Sequence, residues 1–80
     1  MARIQVLYFA TLREQAGREP EMVQTAAGTA SALWDELSTR HGLQVERRNL
    51  VVAINEALVP WTTPLQDGDT VVFLPPVSGG

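Results

Sequence analysis

Gly28-Thr29-Ala30-Ser31-Ala32-Leu33-Trp34-Asp35-Glu36-Leu37-Ser38-Thr39-Arg40-His41-Gly42 holds the clearest helical pattern in the chain. Ala30, Leu33, Trp34 and Leu37 recur at helical spacing and form one apolar stripe. Gly28-Thr29 supplies a breaker and an N-cap, and Gly42 a residue suited to the position just past the helix. Glu36 and Arg40 stand four apart, in the favourable order, on the polar side. The spacing predicts a helix over 30–41. Trp34 has two conceivable uses, core packing or stacking on a ligand, and its place in the stripe favours the core. His41, in the last turn, suits an interaction with the helix dipole better than a metal.

Strand signals lie on both sides of this helix. Arg3-Ile4-Gln5-Val6-Leu7-Tyr8-Phe9 is rich in β-branched and aromatic residues, with Ile4, Val6 and Tyr8 on one face and Gln5, Leu7 and Phe9 on the other. Residues 10–16 suit one or two helical turns closed by Gly17. Residues 21–25 are a weaker strand candidate, because Pro20 precedes them and only Met22 and Val23 are strongly apolar. Downstream, residues 50–54 form a strong strand, Asn55-Glu56 a turn, and residues 57–59 a short strand closed by Pro60. A loop over 62–66 leads to Asp67-Gly68-Asp69, a tight turn in which Gly68 takes positive φ. Residues 70–74 are the last strand, stopped by Pro75-Pro76. Strands flanking one amphipathic helix imply an α+β fold, a mixed sheet of about five strands packed on one main helix. The chain divides into a domain over 1–74 and a flexible tail over 75–80.

Composition narrows the function classes. Eighty residues make one domain, and 45% apolar residues with a net charge of −3 suit a soluble globular protein. The acidic balance argues against nucleic acid as a partner, and no apolar run approaches a membrane span. Without a signal-peptide pattern, the expected location is cytoplasmic. There is no Cys, so the chain has no disulfide and no thiolate of its own, and His41 is the sole histidine, too few for a triad or a His-based metal site. All six basic residues are Arg. That bias has a plain source in codon usage; its functional reading is that the chain cannot accept an isopeptide bond from a copy of itself.

The body of the chain offers no catalytic constellation. The two carboxylates of Asp67-Gly68-Asp69 lack the further oxygen ligands that calcium needs, so a β-turn accounts for them better than a metal site. The other carboxylates are scattered, and no phosphate loop occurs. No metal site is expected. The tail Leu74-Pro75-Pro76-Val77-Ser78-Gly79-Gly80 remains. With Gly at about 7% of residues, a diglycine ends a chain by chance roughly 0.5% of the time. The two prolines make the exit extended, and ever smaller residues follow. The six residues after Leu74 reach at most ~20 Å. Such an end could thread a narrow channel and present an unhindered Gly80 carboxylate for activation; a frayed terminus is the plain alternative.

The segment Pro64-Leu65-Gln66-Asp67-Gly68-Asp69-Thr70-Val71-Val72-Phe73-Leu74-Pro75-Pro76-Val77-Ser78-Gly79-Gly80 resembles the end of the small subunit of molybdopterin synthase, the MoaD family. Ile4-Gln5-Val6-Leu7-Tyr8-Phe9-Ala10 with Leu12-Arg13-Glu14, and Ala53-Ile54-Asn55 before Leu58-Val59, resemble it too. The Asp-Gly-Asp turn is common to ubiquitin-like sulfur carriers, whereas Pro-Pro-Val-Ser-Gly-Gly sets this family apart from thiamine-pathway carriers. Leu74 stands where the family often has Phe, Trp61 resembles thiamine-type carriers, and residues 17–25 match weakly.

The resemblance implies a β-grasp, ubiquitin-like fold and a specific chemistry. A ubiquitin-activating-type adenylyltransferase would adenylate Gly80 with ATP, and a sulfurtransferase would make the thiocarboxylate. Pro75, Pro76, Val77, Ser78 and Gly79 would enter the large synthase subunit, where sulfur passes to cyclic pyranopterin monophosphate. The chain would bind no cofactor itself and would not be an enzyme alone; it would be the sulfur-donor subunit of a transferase, in a heterotetramer. Alternation along the last strand sends Val72 and Leu74 to the open face, and Phe9 and Leu58 are placed on that face too, making a partner-binding apolar patch beside the tail root. The alternative at that face is cover by a local loop. Rival functions are sulfur carriage for thiamine or transfer-RNA thiolation, a protein modifier conjugated through Gly80, and a binding module with an inert tail.

Overall fold

A computed structural model describes residues 1–17 and 19–75. Each element follows from a local pattern, and its place in the molecule from long-range pairing. The strands are β1 (Ala2–Tyr8), β2 (Glu21–Thr25), β3 (Val51–Ile54), β4 (Ala57–Val59) and β5 (Thr70–Leu74), and the helices are α1 (Ala10–Ala16) and α2 (Ala30–His41). A short 3₁₀ turn, Arg47–Asn49, precedes β3 and was not expected from the sequence. The strands form one mixed sheet in the order β2-β1-β5-β3-β4. Only β1 and β5 run parallel; the other neighbours are antiparallel.

Helix α2 lies against one face of this sheet. Ala30, Leu33, Trp34 and Leu37 are all buried, as the stripe predicts, and Trp34 is a core residue. The Thr29 hydroxyl accepts from the Ala32 N–H at 3.1 Å, and the Gly42 N–H donates to the Ser38 carbonyl. Two further N–H groups of the first turn, on Ala30 and Ser31, donate to the Thr63 and Trp61 carbonyls, so the loop after β4 seats the helix. Trp34 meets the Phe73 ring edge-on at 5.0 Å, and Trp61 stacks on Phe73 at 6.0 Å and also touches Trp34, at 6.4 Å. Ile4, Val6 and Tyr8 from β1, Val52 and Ile54 from β3, and Val71 and Phe73 from β5 complete the core.

Two turns lock the end of the sheet remote from Leu74. Gly68 has φ +90°, and the Asp67 and Asp69 carboxylates both serve the turn. Asp67 Oδ1 accepts from the Arg3 N–H at 2.7 Å, while Asp69 accepts from Asn55 Nδ2 at 2.9 Å and the Gln66 N–H at 2.8 Å. Asn55 and Glu56 have positive φ, the conformation a tight hairpin between β3 and β4 requires.

Candidate functional site

Strand β5 carries both the centre of the core and the root of the tail. Its odd residues, Val71 and Phe73, are fully buried, whereas Val72 and Leu74 are half-buried on the opposite, open face. The alternation expected from the sequence is therefore what the fold shows. Register places Leu7, Val72, Ala53 and Leu58 in one row across four strands. The next row pairs Leu74 with Val51, and Phe9 follows Tyr8, the partner of Phe73, to the level of Leu74. Ala53 lies between Leu58 and Val72 in this row, so those two stand about 10 Å apart, two strand spacings.

The four patch residues named from the sequence thus share a face and bracket the tail root. Phe9 is 45% and Leu58 59% exposed, and among the described residues no loop buries Phe9 or Val72. The Phe9 N–H donates to the Phe73 carbonyl at 3.2 Å, and the Phe9 carbonyl accepts from Leu12 and Arg13. An exposed aromatic is therefore held by its backbone at the junction of β1, α1 and β5. The fold adds Leu7, Val51 and Ala53 to the same face; strand parity could have found Leu7, but Val51 and Ala53 needed the β3–β5 register. Toward the Asp67-Gly68 end this face becomes mostly polar, with Gln5, Gln24 and Thr70 beside an exposed Met22 on the edge strand, and only Arg3 is charged among its strand residues. The apolar surface is concentrated where the chain leaves the sheet. Pro75 is exposed there, and Pro76, Val77, Ser78, Gly79 and Gly80 lie outside the described residues.

One polar cluster escaped the sequence reading. Glu21 is 5% exposed and accepts from the Tyr8 hydroxyl at 2.6 Å. His41 Nε2 lies 2.9 Å from the same oxygen, and Arg40 Nη1 3.8 Å from the other. An ionised carboxylate only accepts, so Nε2 carries the hydrogen. Burial pushes the Glu21 carboxyl up, but the bonds from Tyr8 and His41 and the charges of His41 and Arg40 outweigh it and hold it below its ordinary value. Burial, with the bond to Glu21 and its charge, drives the Tyr8 phenol far above its usual range, against the opposing charge of Arg40. His41 is thus a partner of a buried carboxylate, where the sequence suggested a helix-dipole role. The cluster joins β1, β2 and α2 on the side of the sheet away from the apolar patch. Among the described residues no group of three His, Asp or Glu is placed to hold a metal, and no helix is long and apolar enough to cross a membrane.

The ThiS family model matches residues 6–80. Over 80 aligned residues, covering 96% of this chain and 99% of the relative, the sequence is 41% identical to the molybdopterin synthase sulfur carrier subunit of Escherichia coli (strain K12). The chain belongs to the ThiS family, with the molybdopterin synthase sulfur carrier subunits. A Pyrococcus furiosus structure put forward as subunit 1 of molybdopterin converting factor shares its fold, with a TM-score of 0.81 and 30% identity over 96% of this chain and all of the other. Subunit 1 of the same factor from Helicobacter pylori, solved as a protein–protein complex with subunit 2, gives a TM-score of 0.68 and 29% identity over 98% of this chain and 99% of that one. The fold is the β-grasp of the ubiquitin-like carriers, and the curated relatives that the chain matches are sulfur carrier subunits of molybdopterin synthase.

Proposed function

We propose that this chain carries sulfur for a molybdopterin synthase on its own C-terminal carboxylate. The observation that carries the proposal is the 41% identity to a molybdopterin synthase sulfur carrier subunit across nearly the whole of both chains. The apolar face around the root of the tail supports it, since a carrier must dock so that its end enters a partner.

In this reading the Gly80 carboxylate attacks the α-phosphorus of ATP on a ubiquitin-activating-type adenylyltransferase, and pyrophosphate leaves. The persulfide of a sulfurtransferase then attacks the acyl carbon and AMP departs; a thiol cleaves the resulting acyl disulfide, is oxidised to a disulfide with the sulfurtransferase, and leaves the thiocarboxylate. Phe9, Leu58, Val72 and Leu74 seat the domain on the large synthase subunit. The tail from Pro75 through Gly79 enters that subunit's active site, where the sulfur is transferred to cyclic pyranopterin monophosphate. Two such transfers build the dithiolene. The chain supplies the donor atom and the docking face; the partner supplies the catalytic side chains. The domain over 1–74 positions, and the tail over 75–80 reacts. Such a carrier works in the cytoplasm.

Thiocarboxylated protein, the large subunit and the pyranopterin, incubated together, test the proposal. Sulfur in the pterin product and a carboxylate restored at Gly80 are expected. Deletion of Gly80 removes sulfur transfer while leaving the fold and partner binding intact. Sulfur delivered only to a thiazole precursor or to transfer RNA, or Gly80 recovered in amide linkage to lysines of other proteins, overturns it.

A further inference from the structure

Three of the described arginines, Arg13, Arg47 and Arg48, belong to segments at the end of the sheet where the tail leaves, whereas Arg3 lies at the far end and Arg40 pairs with Glu21 and Glu36. Val51 pairs with Leu74, which puts the Arg47–Asn49 turn beside the tail root. Arg13 reaches the same end: its N–H donates to the Phe9 carbonyl, and the Phe9 N–H donates to Phe73. These positions are in use. Arg13 pairs with Glu19 at 3.2 Å and Arg48 with Glu46 at 2.6 Å, while Arg47 bonds the Ser31 hydroxyl and lies 5.7 Å over the Trp61 ring. A lysine could serve an ion pair at such exposed sites about as well, so structure alone does not demand arginine at Arg13 or Arg48.

Chemistry distinguishes the two. A guanidinium stays protonated at any pH of interest and does not attack a carbonyl, whereas an ordinary lysine near pKa 10.4 is about 0.4% free amine at pH 8. An activated acyl group tethered nearby sees such an amine at an effective concentration in the millimolar range. Topology deals with the remaining amine. Because β1 runs parallel to β5, the Met1 end of β1 lies at the far end of the sheet. Eight residues of strand place Met1 about 26 Å from the level of Phe9, beyond the ~20 Å that residues 75–80 can span.

We propose that the lysine-free surface protects the activated Gly80 carbonyl from capture by its own chain, with arginines filling the cationic positions within the tail's reach and the α-amine of Met1 held out of it. This deepens the sulfur-carrier reading and rests on it. The side reaction avoided is aminolysis: a C–N bond forms at the Gly80 carbonyl, the bond to the AMP oxygen breaks, AMP leaves, and the amine releases one proton.

The experiment needs no activating enzyme, so its result does not depend on which acceptor the carrier serves. The full chain is released from an intein fusion as the Gly80 thioester of 2-mercaptoethanesulfonate and followed at pH 8 by intact mass. Here aminolysis forms the same C–N bond, breaks the C–S bond and releases the thiol. The native thioester is expected to hydrolyse cleanly to the acid. Arg48→Lys and Arg13→Lys are expected to give an intramolecular amide at a rate roughly tenfold or more above any self-acylation of the native chain. Arg3→Lys, about 20 Å from the level of Phe9 and so at the limit of the tail's span, is expected to acylate itself far more slowly than either. Circular dichroism confirms that each variant is folded. Native thioester that cyclises onto Met1 as fast as the Arg48→Lys variant acylates itself, or near-end lysine variants as inert as the native chain, would overturn the proposal. A chain that passes this test yet donates no sulfur to a pterin would sink the sulfur-carrier reading and leave the protection standing.

Discussion

The Tyr8 hydroxyl and the Glu21 carboxylate are joined by a 2.6 Å hydrogen bond in the interior, with His41 on the same oxygen. This pair couples the first two strands to the C-terminal end of α2, and it makes stability depend on pH at both extremes. The folded state holds the Glu21 carboxyl below its unfolded value, so that contribution is complete above about pH 4.3 and is lost as pH falls through the folded value. Tyr8 is shifted upward, so its contribution is complete below about pH 10 and is lost as pH rises beyond it. Urea unfolding at a series of pH values is expected to show a plateau falling on both sides. Tyr8→Phe costs about 1.5–3 kcal/mol on the plateau and removes the alkaline fall; Glu21→Gln flattens the acid limb. An unchanged acid limb in Glu21→Gln would assign that limb elsewhere.

Two glycines are expected to respond to alanine with opposite signs. Gly68 has φ +90° and Gly28 does not lie in that region, yet an added Cβ meets nothing within 4 Å at either position. Backbone preference alone is therefore tested. Gly68→Ala costs about 1–2 kcal/mol, and Gly28→Ala is neutral or stabilises by up to about 1 kcal/mol. Equilibrium denaturation of both variants measures the difference.

Trp34 is 3% exposed and packed against Phe73 and Trp61. Trp34→Ala should cost about 3–5 kcal/mol, a large part of the stability of a domain this small. Loss of partner binding without loss of stability would instead return Trp34 to the ligand-stacking role.

The open face can be tested without disturbing the core. Leu58→Glu places a charge at an exposed position and is expected to change stability by no more than about 0.5 kcal/mol. Affinity for the large synthase subunit should nevertheless fall about 30-fold or more, the effect of putting a charge into a desolvated apolar contact. Ala32→Glu, on the exposed side of α2, is the control and leaves affinity unchanged. Calorimetric titration of both variants decides the matter; equal affinities would remove Leu58 from the interface.

Local period made much of the fold legible. The stripe of Ala30, Leu33, Trp34 and Leu37 named the buried side of α2, and Thr29 and Gly42 marked its ends. Alternation in β1 and β5 separated core from open face, and Gly68 announced its own turn. Strand β2 was weak in sequence because two of its three inward residues are polar: Glu21 and Thr25 are buried at 5% and 2% exposure. They are tolerated there by partners remote in sequence, Tyr8 and His41 for Glu21, and Glu36 for Thr25. No pattern within residues 21–25 announces those partners.

By itself, then, the sequence determined what depends on neighbours in the chain: element types, the parity of each strand, the sharp turns, the diglycine at Gly79-Gly80, and a surface with arginine in place of lysine. Those are consequences of backbone sterics and of repeat spacing, which act over a few residues. Which strands lie side by side was decided only by the tertiary structure, because strand pairing joins residues as remote as Leu7 and Val72. By setting β5 between β1 and β3, that pairing gathered Leu7, Phe9, Val51, Val72 and Leu74 around the tail root. The same parallel pairing of β1 with β5 sent Met1 to the opposite end of the sheet.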